Sequence, residues 1–355
     1  MKKILYFGFY KPDYGKNRVL IKGFKENGIE VSHCRVSGGG LIHLPKLLWR
    51  YIKSRPNYDM MVVGFPGQEV MPLARLLTKK PIILDILTSH YGGYILDRQY
   101  FNKKSWRAKY YRWMDILACR LADVVLLDTN AHIEFFVKEL GLPRDKFLRV
   151  FVGTDDGVMK PMDVSKDTDK FLVHFHGHFI PLQGAEYIIE AAHLLRSEPI
   201  LFQIIGKGQD YAKSRARADE LKLQNIRWID QVSYEELVQR INMADVCLGG
   251  FGITEKTKHV SMNKLFEYMA CGKPIITGDG LPAREIFTDG ENGLLCTRGS
   301  GQDIADKIMI LFKNPGLMEK LGKNIRREFE LRFTPKILVE GLLQYLNSHN
   351  FKKKT

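Results

Sequence analysis

Short apolar runs alternate with amphipathic stretches along the whole chain. KILYFGFY, IEVSHCRV, YDMMVVGF, PIILDI and ADVVLLDT have strand length, and polar residues or glycine follow each. Between them the apolar positions recur with helical spacing: at Val19, Leu20 and Phe24, over residues 45–55, around 69–78, and from 103 to Leu121. LRVFVGTDD reads as the last strand of this half. The pattern then restarts. FLVHFHG, ILFQIIGKG and NIRWID are strands, and helices are expected in HFIPLQGAEYIIEAAHLL and at 233–242. Such alternation predicts the α/β class, with two doubly wound parallel sheets. Residues 157–170 are polar and charged around Pro161 and read as the link between two domains. The last helices, from about 316 to 348, are basic and amphipathic, and Phe351–Thr355 reads as a frayed tail.

Residues 245–296 carry the densest signal. A short strand, Val246–Leu248, runs into Gly249, Gly250 and Gly252, and a polar, basic loop follows. A helix is expected from about Ser261. Met262, Leu265, Phe266 and Met269 share one face, while Asn263, Lys264 and Glu267 lie on the other side. Cys271-Gly272-Lys273-Pro274 stops the helix, and a strand from Pro274 to Thr277 reaches Gly278. A glycine-rich turn that feeds a helix start suits phosphate, because free backbone N–H groups point outward there. A carboxylate further along the helix can accept hydrogen bonds from sugar hydroxyls.

Charge adds a second observation. The formal net charge is +14, and residues 1–150 hold 26 Lys+Arg against 13 Asp+Glu, whereas residues 151–355 hold 28 against 27. A basic first half points to an anionic partner surface. No nucleic-acid recognition motif is present, so an anionic membrane surface is the expected partner and nucleic acid is not. The amphipathic run PKLLWRYIKSR groups Leu47, Leu48, Tyr51 and Ile52, with Lys46, Arg50, Lys53 and Arg55 around them. Trp106, Tyr110 and Trp113 form a stripe read as core. Five scattered cysteines without CxxC spacing fit neither a disulfide framework nor a zinc site, and they fit a reducing compartment. The run Ile4–Phe9 is too short for a signal sequence or a membrane span, so a cytoplasmic location is expected, peripheral on the inner face of the membrane.

Candidate chemistry gathers at strand ends, where open α/β sheets place their sites. Asp85 sits at the C-terminal end of the strand PIILDI and His90 in the loop after it, and each reads equally as a site residue or as a turn residue. Gly8 and Gly15 flank the first strand-to-helix turn but lack the G-x-G-x-x-G dinucleotide spacing. His176 and His178 flank Gly177 without a carboxylate pair in sight, so no metal site is expected.

The stretch NKLFEYMACGKPIIT, with Arg284-Glu285-Ile286 and DGENGLLC, resembles the signature of GT-B glycosyltransferases of family four. HGHFIPLQGAEYIIEAA and GKG after ILFQII are similar to further blocks of that family. The resemblance covers most of residues 146–350 and, more faintly, the start. It implies two Rossmann-like domains facing a central cleft. The expected domains are an acceptor-binding one at 1–156 and a donor-binding one at 157–334, with a last helix at about 335–350 packing back on the first. It implies a retaining transfer from a nucleotide-sugar donor. Glu267 matches a family carboxylate that binds the nucleotide ribose. Where the family has a second carboxylate this chain has His259, and where it has an Arg and a Lys aimed at the donor phosphates this chain has His178 and Gln183. Lys256, Lys264 or Lys207 are the cations that could replace them.

The expectation is a retaining glycosyltransferase that needs no metal or other cofactor, because backbone amides and lysines can carry the charge work. Gly8, Gly15, His178, Gly206, Lys256, His259, Asn263, Lys264 and Glu267 are expected to hold the donor, and Asp85 or His90 to position the acceptor or the transferred sugar. The acceptor is expected to be a lipid-linked or cell-envelope glycan. The alternatives are a non-catalytic sugar-nucleotide-binding partner subunit and a GT-B enzyme of other chemistry, an epimerase or an inverting transferase.

Overall fold

The computed structural model describes residues 2–349. The tail Phe351–Thr355 lies outside the described residues. The chain divides into two compact units, Met1–Asp155 with Phe333–Thr355, and Asp156–Arg332.

In the first unit the elements run β1 (Lys3–Gly8), α1 (Gly15–Glu26), β2 (Glu30–Arg35), α2 (Leu44–Ser54), β3 (Met60–Val63) and α3 (Met71–Leu77). Then come β4 (Ile82–Asp85), α4 (Trp106–Leu121), β5 (Val124–Leu127), α5 (Asn130–Leu140) and β6 (Phe147–Arg149). The second unit holds β7 (Phe171–His176), α6 (Ala185–Leu194), β8 (Ile200–Ile205), α7 (Tyr211–Glu220), β9 (Ile226–Ile229) and α8 (Tyr234–Met243). It continues with β10 (Val246–Leu248), α9 (Asn263–Ala270), β11 (Ile275–Gly278), α10 (Leu281–Arg284), β12 (Leu294–Cys296), α11 (Gly301–Lys313) and α12 (Pro315–Arg332). A final helix, α13 (Pro335–Ser348), returns to the first unit.

Each unit has one six-stranded parallel sheet, ordered β2-β1-β3-β4-β5-β6 and β12-β11-β10-β7-β8-β9. Helices cover both faces, so central strands such as MMVV, VVLL and ILFQII are buried at every position. Strand direction of travel reverses between β1 and β3 in the first sheet and between β7 and β10 in the second. Crevices outside the carboxyl ends of those strands are where such folds bind ligands.

The helices start where hydroxyl caps permit. The side chains of Ser105, Thr129, Ser233, Ser300 and Thr334 accept hydrogen bonds from the N–H three residues on. α13 lies against α1 so closely that a Cβ on Gly23 would stand 2.2 Å from the Pro335 carbonyl oxygen.

The tryptophan stripe corrects its sequence reading. Trp106 and Trp113 are 70% and 54% exposed, so they are surface rather than core. α4 turns Ala108, Met114, Ala118 and Cys119 inward instead. In α2 only Leu47 is fully buried, and Ile52 is exposed.

Candidate functional site

The crevice of the second unit opens at the ends of β7 and β10. Gly177 follows β7, Gly206 follows β8, and Gly249 and Gly250 follow β10. These glycines let backbones approach. A Cβ on Gly206 would lie 2.1 Å from the Gly177 carbonyl oxygen, at a φ of +127° that L side chains rarely adopt. Gly206→Ala is therefore expected to destabilise this unit by about 1–3 kcal/mol through overpacking, read by urea unfolding.

α9 points its polar side at the same place. It begins at Asn263, two residues after the expected start, and Asn263 and Glu267 are partly exposed while Lys264 is buried. Glu267 Oε2 accepts a hydrogen bond from His176 Nε2 at 2.8 Å. His176 sits at the end of β7 and is further contacted by His174 Nε2 at 3.0 Å and Tyr268 OH at 3.2 Å, both at Nδ1. Burial pulls both imidazoles below the ordinary histidine pKa, while Glu267 pushes His176 back up.

Lys264 lies beneath this cluster. Its ammonium donates to Gln183 Oε1 and stands 3.7 Å from the Phe175 ring centroid, a cation–π arrangement. A Cβ on Gly177 would meet Lys264 Nζ at 3.0 Å. Burial drives the lysine well below its ordinary pKa, with Glu267 opposing. The position that the resemblance reserves for a lysine thus holds Gln183, yet an ammonium from α9 reaches it. His178 is exposed, and Lys207 pairs with Asp230 at 3.3 Å on the surface. Lys256 and His259 are half-buried on the turn between Thr254 and Val260. The structure therefore brings Lys264, Glu267 and Gly206 to the ends of β7 and β8, joined by His176, which the sequence reading had set aside as a possible metal ligand.

The first unit holds a second polar cluster. Gly8 closes β1 and Gly15 opens α1. Between them the loop is tied to Asn17, whose Nδ2 donates to the Lys11 carbonyl at 3.3 Å and whose Oδ1 accepts from Tyr6 OH at 3.0 Å and Phe65 N–H at 3.1 Å. Its Nδ2 donates to the Phe65 carbonyl at 2.7 Å. Asp85 ends β4 as expected, but it is fully buried and pairs with the equally buried Lys16 at 3.1 Å. The carboxylate has no exposed surface, and in this structure it serves as the counter-charge of Lys16 rather than as a group open to a substrate. Burial holds its pKa above the ordinary carboxylate value, and Lys16 opposes.

His90 begins a π-helical turn, Tyr91–Asp97, and packs between the Tyr94 and Tyr111 rings. The backbone N–H groups of His90 and Tyr91 donate to the buried Asp115 carboxyl at 3.1 and 3.0 Å. Burial lifts Asp115 to about 7 and lowers His90 to about 4. The two act oppositely on stability. Between the unfolded carboxylate value and pH 7 the folded state holds a proton on Asp115 that the unfolded state has lost, so stability falls as pH rises. Between pH 4 and the unfolded histidine value the unfolded state protonates His90 alone, so stability falls as pH falls. Relative to wild type, the stability of Asp115→Asn should therefore rise from pH 4 to 7, and that of His90→Gln should fall from pH 4 to 6.5. Urea midpoints across that range read the sign directly. A further buried pair, His132 Nδ1 with Asp128 Oδ1 at 2.6 Å, opens α5 and was not anticipated.

The family described as glycosyl transferases group 1 matches residues 160–328. An uncharacterized glycosyltransferase of Methanocaldococcus jannaschii is 28% identical over 168 residues, which are 47% of this chain and 45% of that protein. The phosphatidyl-myo-inositol mannosyltransferase of Mycobacterium leprae is 32% identical over 148 residues, 39% of this chain and 36% of that protein. The chain thus spans less than half the length of these curated relatives. In three dimensions the chain is similar to the Anabaena protein HepE, solved with UDP and glucose, at a TM-score of 0.75 and 17% identity, over 98% of this chain and all of HepE. Residues 160–328 thus match the glycosyl transferases group 1 family, and the chain as a whole has the two-sheet GT-B fold.

Proposed function

We propose that this chain transfers a sugar, with retention of configuration, from a nucleoside diphosphate sugar to an acceptor hydroxyl. The observation that carries the reading is Glu267, held through one oxygen by His176 at the switch point of the second sheet. The other oxygen is left to accept from a ribose hydroxyl. Lys264 stands ready beside Gly177 for the diphosphate. An arriving anion would offset its desolvation and favour the charged ammonium. The UDP in the HepE structure supports a donor of this class.

The acceptor is a lipid-linked or cell-envelope glycan in this reading, and the first unit meets an anionic membrane surface. The mannosyltransferase relative, named for a phospholipid acceptor, supports the lipid link. So do the exposed residues of the first unit. Three of the four tryptophans of the chain, Trp49, Trp106 and Trp113, are more than half exposed on α2 and α4. Exposed Lys46, Arg50, Lys53, Arg107, Lys109 and Arg112 lie among them. Tryptophan with basic residues suits the headgroup region, where each cation near the surface contributes about 1 kcal/mol. No described helix is long and apolar enough to cross a membrane. Anionic liposomes should sediment the protein at low salt and release it at high salt. Binding independent of lipid charge would sink the membrane reading.

The reaction is tested by incubating the purified protein with UDP-, GDP- and ADP-sugars and following the anomeric signals by NMR. Donor loss with an α-product from an α-donor is expected. Tight binding without turnover against a broad acceptor panel would instead favour the partner-subunit reading, and an inverted product the other-chemistry one.

A further inference from the structure

We infer that His174 and His176 are positioning residues that, with Gln203, form a one-way hydrogen-bond chain fixing the orientation and charge of Glu267. The inference rests on the donor-site reading of Glu267 but is derived from the buried side chains behind it.

The chain of donors can be worked out from one fixed end. The Arg240 carbonyl can only accept, and Gln203 Nε2 lies 3.3 Å from it. That sets the Gln203 amide: its NH₂ faces Arg240. The same NH₂ lies 3.0 Å from His174 Nδ1, so His174 Nδ1 must accept. A neutral imidazole that accepts at Nδ1 carries its proton on Nε2. His174 Nε2–H therefore donates to His176 Nδ1 at 3.0 Å. Tyr268 OH, 3.2 Å from the same nitrogen, donates there too while its oxygen accepts from the His176 backbone N–H at 3.4 Å. With Nδ1 of His176 occupied as an acceptor, its proton is on Nε2, aimed at Glu267 Oε2 at 2.8 Å.

Every member is shielded. Gln203 and His174 are fully buried and His176 nearly so. An imidazolium at His176 would turn an N–H into the N–H of His174, so both rings stay neutral. Glu267 consequently receives a neutral donor. Its carboxylate is oriented without an imidazolium in the donor pocket. Three β-strand side chains, on β7 and β8, thus set the geometry of a helix residue on α9.

Two measurements test this on the full chain. Nitrogen-15 NMR of histidine-labelled protein should show His174 and His176 as neutral Nε2–H tautomers at neutral pH. An Nδ1–H tautomer or an imidazolium at either position overturns the inference, whatever the protein binds. Calorimetry with UDP, GDP and ADP, followed with the tightest of the three, gives the second readout. His176→Leu should weaken binding about tenfold or more, the cost of a lost hydrogen bond to a charged group. His176→Gln, which keeps an N–H near the Nε2 position, should restore most of it. His174→Leu should weaken binding less, and should add nothing on a Glu267→Ala background. Unchanged affinity in a folded His176→Leu protein refutes the positioning role. If the wild type binds none of the three nucleotides, the donor reading fails, and the tautomers still decide the chain.

Discussion

Asp85→Ala should cost the first unit about 3–5 kcal/mol of stability, the toll for leaving a buried charge without its partner. Lys16 is fully enclosed and its ammonium lies 3.1 Å from Asp85 Oδ1. Removing the carboxylate leaves that fully buried ammonium without its counter-charge. The double variant Lys16→Met/Asp85→Leu should recover most of the loss, because a buried ion pair replaced by apolar groups of similar volume is often neutral or stabilising. Urea unfolding of the three proteins checks both statements. An Asp85→Ala protein within about 1 kcal/mol of wild type would mean that water reaches the pair, and Asp85 would again be a candidate for chemistry.

The second large effect is on binding. Glu267→Ala should raise the donor KM about 10- to 100-fold, since hydrogen bonds to a charged group contribute about 1.5–3 kcal/mol each. Stability should fall by no more than about 1–3 kcal/mol, the cost of leaving the His176 Nε2–H without its acceptor, because Glu267 itself is part-exposed. Glu267→Gln should fall between, as an amide oxygen accepts more weakly than a carboxylate. Steady-state kinetics over donor concentration separate KM from kcat. A loss confined to kcat would move Glu267 from donor binding to the chemical step.

The sequence made the fold legible because parallel strands buried on both faces leave unmistakable apolar runs. β3, β4, β5 and β8 were placed to within a residue or two. α7 escaped the reading because it has no apolar stripe, burying only Ser214 and Ala218. α11 does have one, with Ile304, Ile308 and Leu311 inward and Ser300 as cap, but it precedes the last helices expected from about 316. The tryptophans of α4 misled because a large aromatic at helical spacing usually faces a core, and spacing alone does not say which side of a helix the sheet takes. At the site, Glu267 and Lys264 were visible from the polar face of α9. His176 was visible only as a histidine at a strand end. Its partner lies 91 residues away, on a strand-to-helix contact that no local pattern encodes. Asp85 went the other way: a strand-end position drew attention to it, while its pairing with Lys16 depends on how α1 packs over the sheet.

In the proposed function the second unit binds a nucleoside diphosphate through Glu267. Isothermal titration of the wild-type chain and of Glu267→Ala with UDP, GDP and ADP tests it most directly. One of the three is expected to bind the wild type, and the same nucleotide to bind Glu267→Ala at least about tenfold more weakly. Equal affinity of the two proteins for every nucleotide, or no binding by the wild type, would contradict it.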